Sequence, residues 1–372
     1  MLDWVRFGSR SALSATLALT LVLAACGGDG GSGDDDPAAG AEIEDLTANP
    51  ADFDRLVELA RDEGRVVWYT SLASEEADTV GAMFQDEYGI EVIVHRSGGE
   101  DLLQRFLLEA DSGRVQNDVL TIQDAAAVEA MMDDGYFECF RPRFVTELHD
   151  WAYDQADGCW TATRGSVFVI GYRTDLVEQA GAPAPTSWAD LLRPEFSGRI
   201  AIGNPNFSSG LKQATALLSE SLGWEWFEGV RDNGAFVVRG NAQLFDALET
   251  GEALVMGPAA HTRLAQAVAA GEPMAMAFPT EGVILAPSPN VIPSGAPNPY
   301  AARLFLDFLL TDEVLDLLVD TGSYVGRAGF PPPPSMPPLD QLELDSVDYG
   351  WLNANADDRA EAFTTLFDAE TQ

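Results

Sequence analysis

Apolar positions along the chain change period repeatedly, and each change marks an element. Residues 52–61 form a short amphipathic stretch, with Leu56, Val57, Leu59 and Ala60 on one side and Gly64 behind it as a stop. Strands and helices then alternate. Residues 65–70 read as a strand, and the helix after it carries Val80, Met83, Phe84 and Tyr88 at helical spacing. Residues 91–96 form the next strand, ended by Ser97-Gly98-Gly99, and residues 100–109 a helix facing inward through Leu102, Leu103, Phe106 and Leu107. A third strand, 118–122, leads through Gln123-Asp124 into an alanine-rich helix that closes at Gly135. Three strand-to-helix units in a row predict a largely parallel sheet.

The stretch 166–176 differs from these. Its apolar run, Val167 to Ile170, is continuous rather than alternating, as expected of a strand buried on both faces, and Thr174-Asp175 can start a new element. It reads as a crossing strand, because the strand-to-helix pattern resumes beyond it. Residues 188–192 form a helical turn, 199–202 a strand, 203–210 a long loop and 211–222 a helix. Strands at 236–238 and 253–256 follow, then Gly257-Pro258 and a helix through His261. Residues 283–292 carry the chain back. Helices at 300–310 and 313–319, a proline-rich strap at 331–338 and a last helix at 357–367 are expected on the first lobe. The pattern therefore predicts an α/β chain of two lobes, each a mainly parallel sheet flanked by helices, joined by two crossing strands. Lobe I takes residues 43–168 and 283–372, and lobe II residues 169–282.

Composition narrows the partners. The 372 residues carry a formal net charge of -39, from 60 acidic and 21 basic residues, and Lys212 is the one lysine. No basic stripe exists to displace the counterions of nucleic acid, so nucleic acid is excluded as a partner. With only His95, His149 and His261, and with no HExxH, G-x-S-x-G or phosphate loop, the sequence offers no catalytic constellation and calls for no cofactor.

The N-terminal segment has Arg6 and Arg10 ahead of a small, apolar run ending in Leu23-Ala24-Ala25-Cys26. About 15 apolar residues are too few to span a bilayer comfortably, where roughly 20 are needed, so residues 1–25 read as a signal peptide. The tetrapeptide resembles the lipobox of bacterial lipoproteins, which implies lipidation of Cys26 and anchorage to the outer face of a membrane. Residues 26–42, rich in Gly and Asp, form a flexible acidic tether. In an exported protein the two remaining cysteines, Cys139 and Cys159, are an even pair, and a structural disulfide is expected.

Ligands of parallel sheets bind at the carboxyl ends of the strands, where helices begin. Small polar residues lie at those junctions: Ser71, Ser97, Gly98, Gly99 and Asp124 in lobe I; Asn206, Ser208, Ser209, Gly210, Arg239, Asn241 and His261 in lobe II; and Glu281 just before the return strand. Helix-start N–H groups suit an anion, glycine permits close approach, and Ser and Asn add donors. Ser97 and Glu100 have the spacing of a capping box, and Asp124 suits an N-cap. Asp124 or Glu281 would take an amine if the solute has one.

Several segments together resemble a known family. They are Val66-Val67-Trp68-Tyr69-Thr70-Ser71, Tyr172-Arg173-Thr174-Asp175-Leu176, Ala184-Pro185-Thr186-Ser187-Trp188-Ala189-Asp190-Leu191, Pro279-Thr280-Glu281-Gly282, and the run from Ser294-Gly295-Ala296-Pro297-Asn298-Pro299 through Thr311. In this order they resemble the extracellular solute-binding proteins of bacterial ABC importers. The resemblance is to the group that holds ferric-iron, 2-aminoethylphosphonate, thiamine and sugar-phosphate binders, and it covers about residues 43–370. It implies a type II periplasmic-binding-protein fold and a non-enzymatic monomer that delivers a small solute to a membrane permease. The expected solute is anionic or zwitterionic: a phosphonate, phosphate ester or carboxylate. Ferric binders of this group carry adjacent tyrosines after the strand that matches 253–256, where this chain has Gly257-Pro258-Ala259-Ala260-His261. Ferric iron, or an exported hydrolase using the same cleft, is the alternative.

Overall fold

The computed structural model describes residues 44–46, 49 and 51–369; the expected signal peptide, the tether and Cys26 lie outside the described residues. Helix α1 (Asp52–Glu63) ends at Gly64, whose φ of 74° lets its N–H bond back to Ala60 O and turns the chain into strand β1 (Arg65–Thr70). Helix α2 (Ser74–Tyr88), strand β2 (Glu91–Arg96), helix α3 (Gly99–Asp111), strand β3 (Val119–Thr121) and helix α4 (Ala125–Asp133) continue the alternation. β1 pairs in parallel with β2 on one side and β3 on the other. Successive strand residues point to opposite faces, so Val66 and Trp68 enter one core with Phe84, Phe305 and Phe308. Tyr69 enters another, with Phe106 and Leu120. Both faces of this sheet are thus covered, as parallel strands require.

Beyond the short strand β4 (Phe137–Glu138) lies the crossing strand β5 (Thr161–Arg173). The second half then adds α5 (Thr174–Gln179), β6 (Ile200–Gly203), α6 (Ser209–Ser221), α7 (Trp224–Asp232), β7 (Phe236–Val238), α8 (Asn241–Glu249), β8 (Val255–Ala260), α9 (Thr262–Ala269) and β9 (Met274–Ala277). The chain returns through β10 (Leu285–Pro293) and closes with α10 (Pro299–Phe308), α11 (Asp312–Asp320), β11 (Tyr324–Val325) and α12 (Tyr349–Phe367). The strand order is β2-β1-β3-β10-β5-β8-β6-β7. β8, β6 and β7 form a second parallel set. β5 and β10 run antiparallel to each other and to their outer neighbours β8 and β3. Two parallel sets joined by an antiparallel pair of crossing strands is the α/β arrangement that the hydrophobic pattern predicts.

Four local differences have physical causes. β5 starts at Thr161, ahead of its apolar run, because its polar half is also paired, with Thr161 opposite Asn290 and Ser166 opposite Ala286. β8 continues through Gly257-Pro258 to Ala260, since Ala259 and Ala260 pair with Val169 and Phe168 of β5. Helix α7, absent from the sequence reading, buries Trp226, Phe227 and Val230 on one face. The last helix starts at Tyr349, capped by Asp348, whose carboxylate accepts from Trp351 N at 2.9 Å. Its expected seat on the first lobe alone is corrected: α12 packs on α6 and α7 as well as α4. Leu352 and Ala356 meet Ala126 and Ala216, and Phe363 stands 6.1 Å from Phe227.

Cys139 and Cys159 are bonded, with Cα atoms 4.4 Å apart and a sequence separation of 20. Closing a loop of this length restricts the unfolded chain by about 3 kcal/mol. The proline strap is pinned where Tyr324 Oη donates to Pro337 O at 2.6 Å.

Candidate binding site

Strand carboxyl ends of both halves face one cavity of about 950 Å³. Five helices begin on its wall: α2 at Ser74, α3 at Gly99, α6 at Ser209, α8 at Asn241 and α9 at Thr262. Each start presents free backbone N–H groups and the positive end of a helix dipole. The halves touch at two of these starts. A Cβ on Gly98 would lie 3.0 Å from Phe207 O, one on Gly99 would collide with Ser209 Oγ, and one on Gly210 with Gln123 Oε1. Glycine is required here for close approach of the two halves.

Of the residues expected from sequence, Ser71, Ser97, Gly98, Gly99, Ser208, Ser209, Gly210, Arg239 and Asn241 line this cavity. Ser71 Oγ and Ser209 Oγ are sealed from solvent and have no partner among the described residues. Ser208 caps α6, accepting from Leu211 N at 3.4 Å, and Asn241 Oδ1 accepts from Ala260 N at 3.0 Å. The capping box at Ser97 and Glu100 is corrected: the N-cap is Gly98, Ser97 Oγ donates to Asp101 Oδ2 at 2.9 Å, and Glu100 Oε2 accepts from Lys212 Nζ at 2.8 Å. Arg239 lies over the Phe207 ring at 4.4 Å, a cation–π contact on the cavity wall.

Asp124, Asn206, His261 and Glu281 do not line the cavity. Asp124 turns inward as the N-cap of α4, accepting from Ala127 N at 3.0 Å, and burial pushes its carboxyl up to about 7. Asn206 is drawn to α12, donating to Thr364 Oγ1 at 2.7 Å. His261 is fully buried behind the wall; its Nδ1 accepts from Val167 N at 3.2 Å, and burial pulls its pKa down to about 3. Glu281 is exposed, accepting from Ser187 Oγ at 2.7 Å. Each of these side chains is held by a neighbour rather than presented to the cavity.

Six charged residues that the sequence reading passed over also line the cavity: Glu75, Glu76, Arg96, Asp101, Arg164 and Arg263. Arg164 lies on β5, inside the crossing strand rather than at a helix start. It forms no ion pair among the described residues, and its Nε is sealed without a partner. Burial lowers its pKa from the usual arginine value, with Glu76 opposing, and a guanidinium so shifted still carries its proton at neutral pH. Arg96 and Arg239 are exposed to the same space, and Arg96 Nε donates to Leu72 O at 3.3 Å. The signal available in sequence was the run Thr161-Ala162-Thr163-Arg164-Gly165-Ser166, a polar half joined to a strand whose other half is wholly apolar.

Among the described residues one group has metal-ligand spacing, Asp154, Asp157 and Cys159, away from the cavity. Cys159 is bonded to Cys139 and Asp154 accepts from the backbone N–H groups of Ala156 and Asp157, which leaves a self-satisfied turn. No helix among the described residues is long and apolar enough to cross a membrane.

Residues 117–355 match the bacterial extracellular solute-binding protein family. The chain belongs to that family. Its members bind solutes and are not enzymes. A probable ABC transporter periplasmic-binding protein, y4fP of Sinorhizobium fredii (strain NBRC 101917 / NGR234), is 23% identical over 176 residues, 45% of this chain and 48% of that protein. The alignment thus spans about half of that relative. The solute-binding chain also resembles the periplasmic binding protein AfuA of Actinobacillus pleuropneumoniae with exogenous fructose-6-phosphate bound, at TM-score 0.74 and 19% identity, over 82% of this chain and 99% of that one. Iron-bound HitA of Pseudomonas aeruginosa matches at TM-score 0.69 and 18% identity, over 80% and 99%. At these identities the likeness is one of fold, the two-lobed type II periplasmic-binding-protein fold.

Proposed function

We propose that this solute-binding protein captures a small anionic or zwitterionic solute, a phosphonate, phosphate ester or carboxylate, between its halves and hands it to the permease of an ABC importer. One observation supports this above the rest: a half-buried, unpaired Arg164, its Nε sealed, lines a cavity ringed by helix starts. A buried charge left unmet is costly, and an anion accepting from its guanidinium would offset that cost with charge-assisted hydrogen bonds. The hydroxyls of Ser71 and Ser209 would add donors. The moving bodies would be residues 43–168 with 283–372, and residues 169–282, with α12 seated on both. A solute that binds better to the shut form than to the open one would drive closure. A lipid on Cys26 would hold the monomer at the outer face of the membrane, with 26–42 as tether.

The ferric reading finds little support, because no tyrosine among the described residues lines the cavity. Calorimetry of the purified protein against phosphonates, phosphate esters, carboxylates and polyamines tests the proposal. Binding of at least one anion class is expected; silence from every anion together with tight polyamine binding would overturn it.

A further inference from the structure

Glu76 stands in the first turn of α2, where a carboxylate is favoured by the helix dipole, but it is not displayed to solvent as Glu75 is. It is 8% exposed, on the core face beside Ala77 and Val80. Burying a carboxylate without a partner is unfavourable, yet Glu76 forms no hydrogen bond or ion pair with any described residue. What exposure it retains is on the cavity wall, which it shares with Arg164. The two opposite charges sense each other but are held too far apart to pair. A mutual salt bridge would have satisfied both. Their separation instead leaves a carboxylate and a guanidinium as separate, unpaired groups lining one cavity.

We infer that Glu76 is the acceptor for a hydrogen-bond-donating group, an ammonium or a hydroxyl, on the same small molecule whose anionic head lies on Arg164. The cavity would then select dipolar solutes with a donor a few atoms from the anion. This rests on the anionic-solute reading above. A carboxylate accepts from either donor, but an ammonium gains the charge term as well, so the ammonium is the expected source.

The test is calorimetry of the intact protein with matched sets of short alkylphosphonates, alkyl phosphate esters and alkylcarboxylates, each ending in methyl, hydroxyl or ammonium. At least one set is expected to bind with the ammonium member about tenfold or more tighter than the methyl member. Glu76→Gln is expected to bring that ratio near one without weakening the methyl member. A hydroxyl member tighter than both others, with the preference lost in Glu76→Gln, would support the acceptor role and assign the donor as a hydroxyl. Equal affinity across a bound set, or an ammonium preference that survives in folded Glu76→Gln, would overturn this inference and leave the anionic reading standing. Absence of binding by every member would overturn both. If Glu76→Gln does not fold, Glu76→Ala takes its place and is expected to abolish the ammonium preference, and equal affinity across a bound set in the unsubstituted protein overturns the inference without any variant.

Discussion

Arg164 and Lys212 are both withdrawn from water in a chain of net charge -39, yet only one has its charge met by the protein itself. Lys212 Nζ donates to Glu100 Oε2 at 2.8 Å and to Asp357 Oδ1 at 3.0 Å, tying α6 to α3 and α12. Burial alone would pull its pKa down, but the carboxylates of Glu100 and Asp124 outweigh that and hold it above the ordinary lysine value. Arg164 has only the distant Glu76 to oppose the effect of burial, and its pKa falls. A buried charge answered from within joins elements, whereas one left open toward a cavity is free to meet a solute, the role proposed above for Arg164.

Lys212→Met should break the contrast most severely. Glu100 and Asp124 would be left buried without their cation, and denaturant unfolding near neutral pH should show a loss of about 3 kcal/mol. Anion affinity of the folded variant should change by far less than stability does. Arg164→Met is the converse: anion affinity should fall roughly 10- to 100-fold in calorimetry, the worth of a charged hydrogen bond, while the melting temperature holds or rises. A lower melting temperature with unaltered affinity would make Arg164 a structural residue like Lys212.

The pH profile sharpens the same comparison. Asp124 titrates near 7 when folded and near 4 in an unfolded chain, so folding takes up a proton across that window. Its contribution is fullest below pH 4 and is lost as the pH rises through 7. His261 runs the other way. Its folded value of about 3 favours the neutral ring, so its contribution is complete above about 6.5 and is lost as acid brings the pH toward 3. In Asp124→Asn the alkaline limb should flatten, a relative gain of about 2 kcal/mol between pH 5 and 7, measured by thermal or denaturant unfolding. The smallest effect is expected from Gly99→Ala, whose added methyl meets Ser209 as the halves come together. About 1 kcal/mol against the closed form should weaken every ligand several-fold and show as a more open average shape in solution scattering.

The fold was largely legible because its signals are local and repeated. Val167 to Ile170 is apolar without interruption, which marked the crossing, and each strand end carried small polar residues. The site was legible only in part. Gly99 and Ser209 could be placed because a helix start fixes where its first residues point. Asp124 and His261 occupy equivalent junctions, but side-chain direction there depends on which neighbour offers a donor, and Ala127 N and Val167 N draw them inward. Arg164 escaped notice because it lies within a strand, where facing a cavity or a core depends on how β5 pairs with β10 and β11. Glu76 is one acid among Glu75, Glu76 and Asp78, and nothing but packing singles it out.

Lys212 is the chain's one lysine, and its side chain is only 13% exposed. Reagents that couple to lysine amines would therefore find almost no foothold on the folded body. A biosensor made from this protein would have to be attached or dyed through its plentiful carboxyls or an introduced thiol, and lysine reactivity, normally a nuisance background, would become a gauge of how often the structure opens.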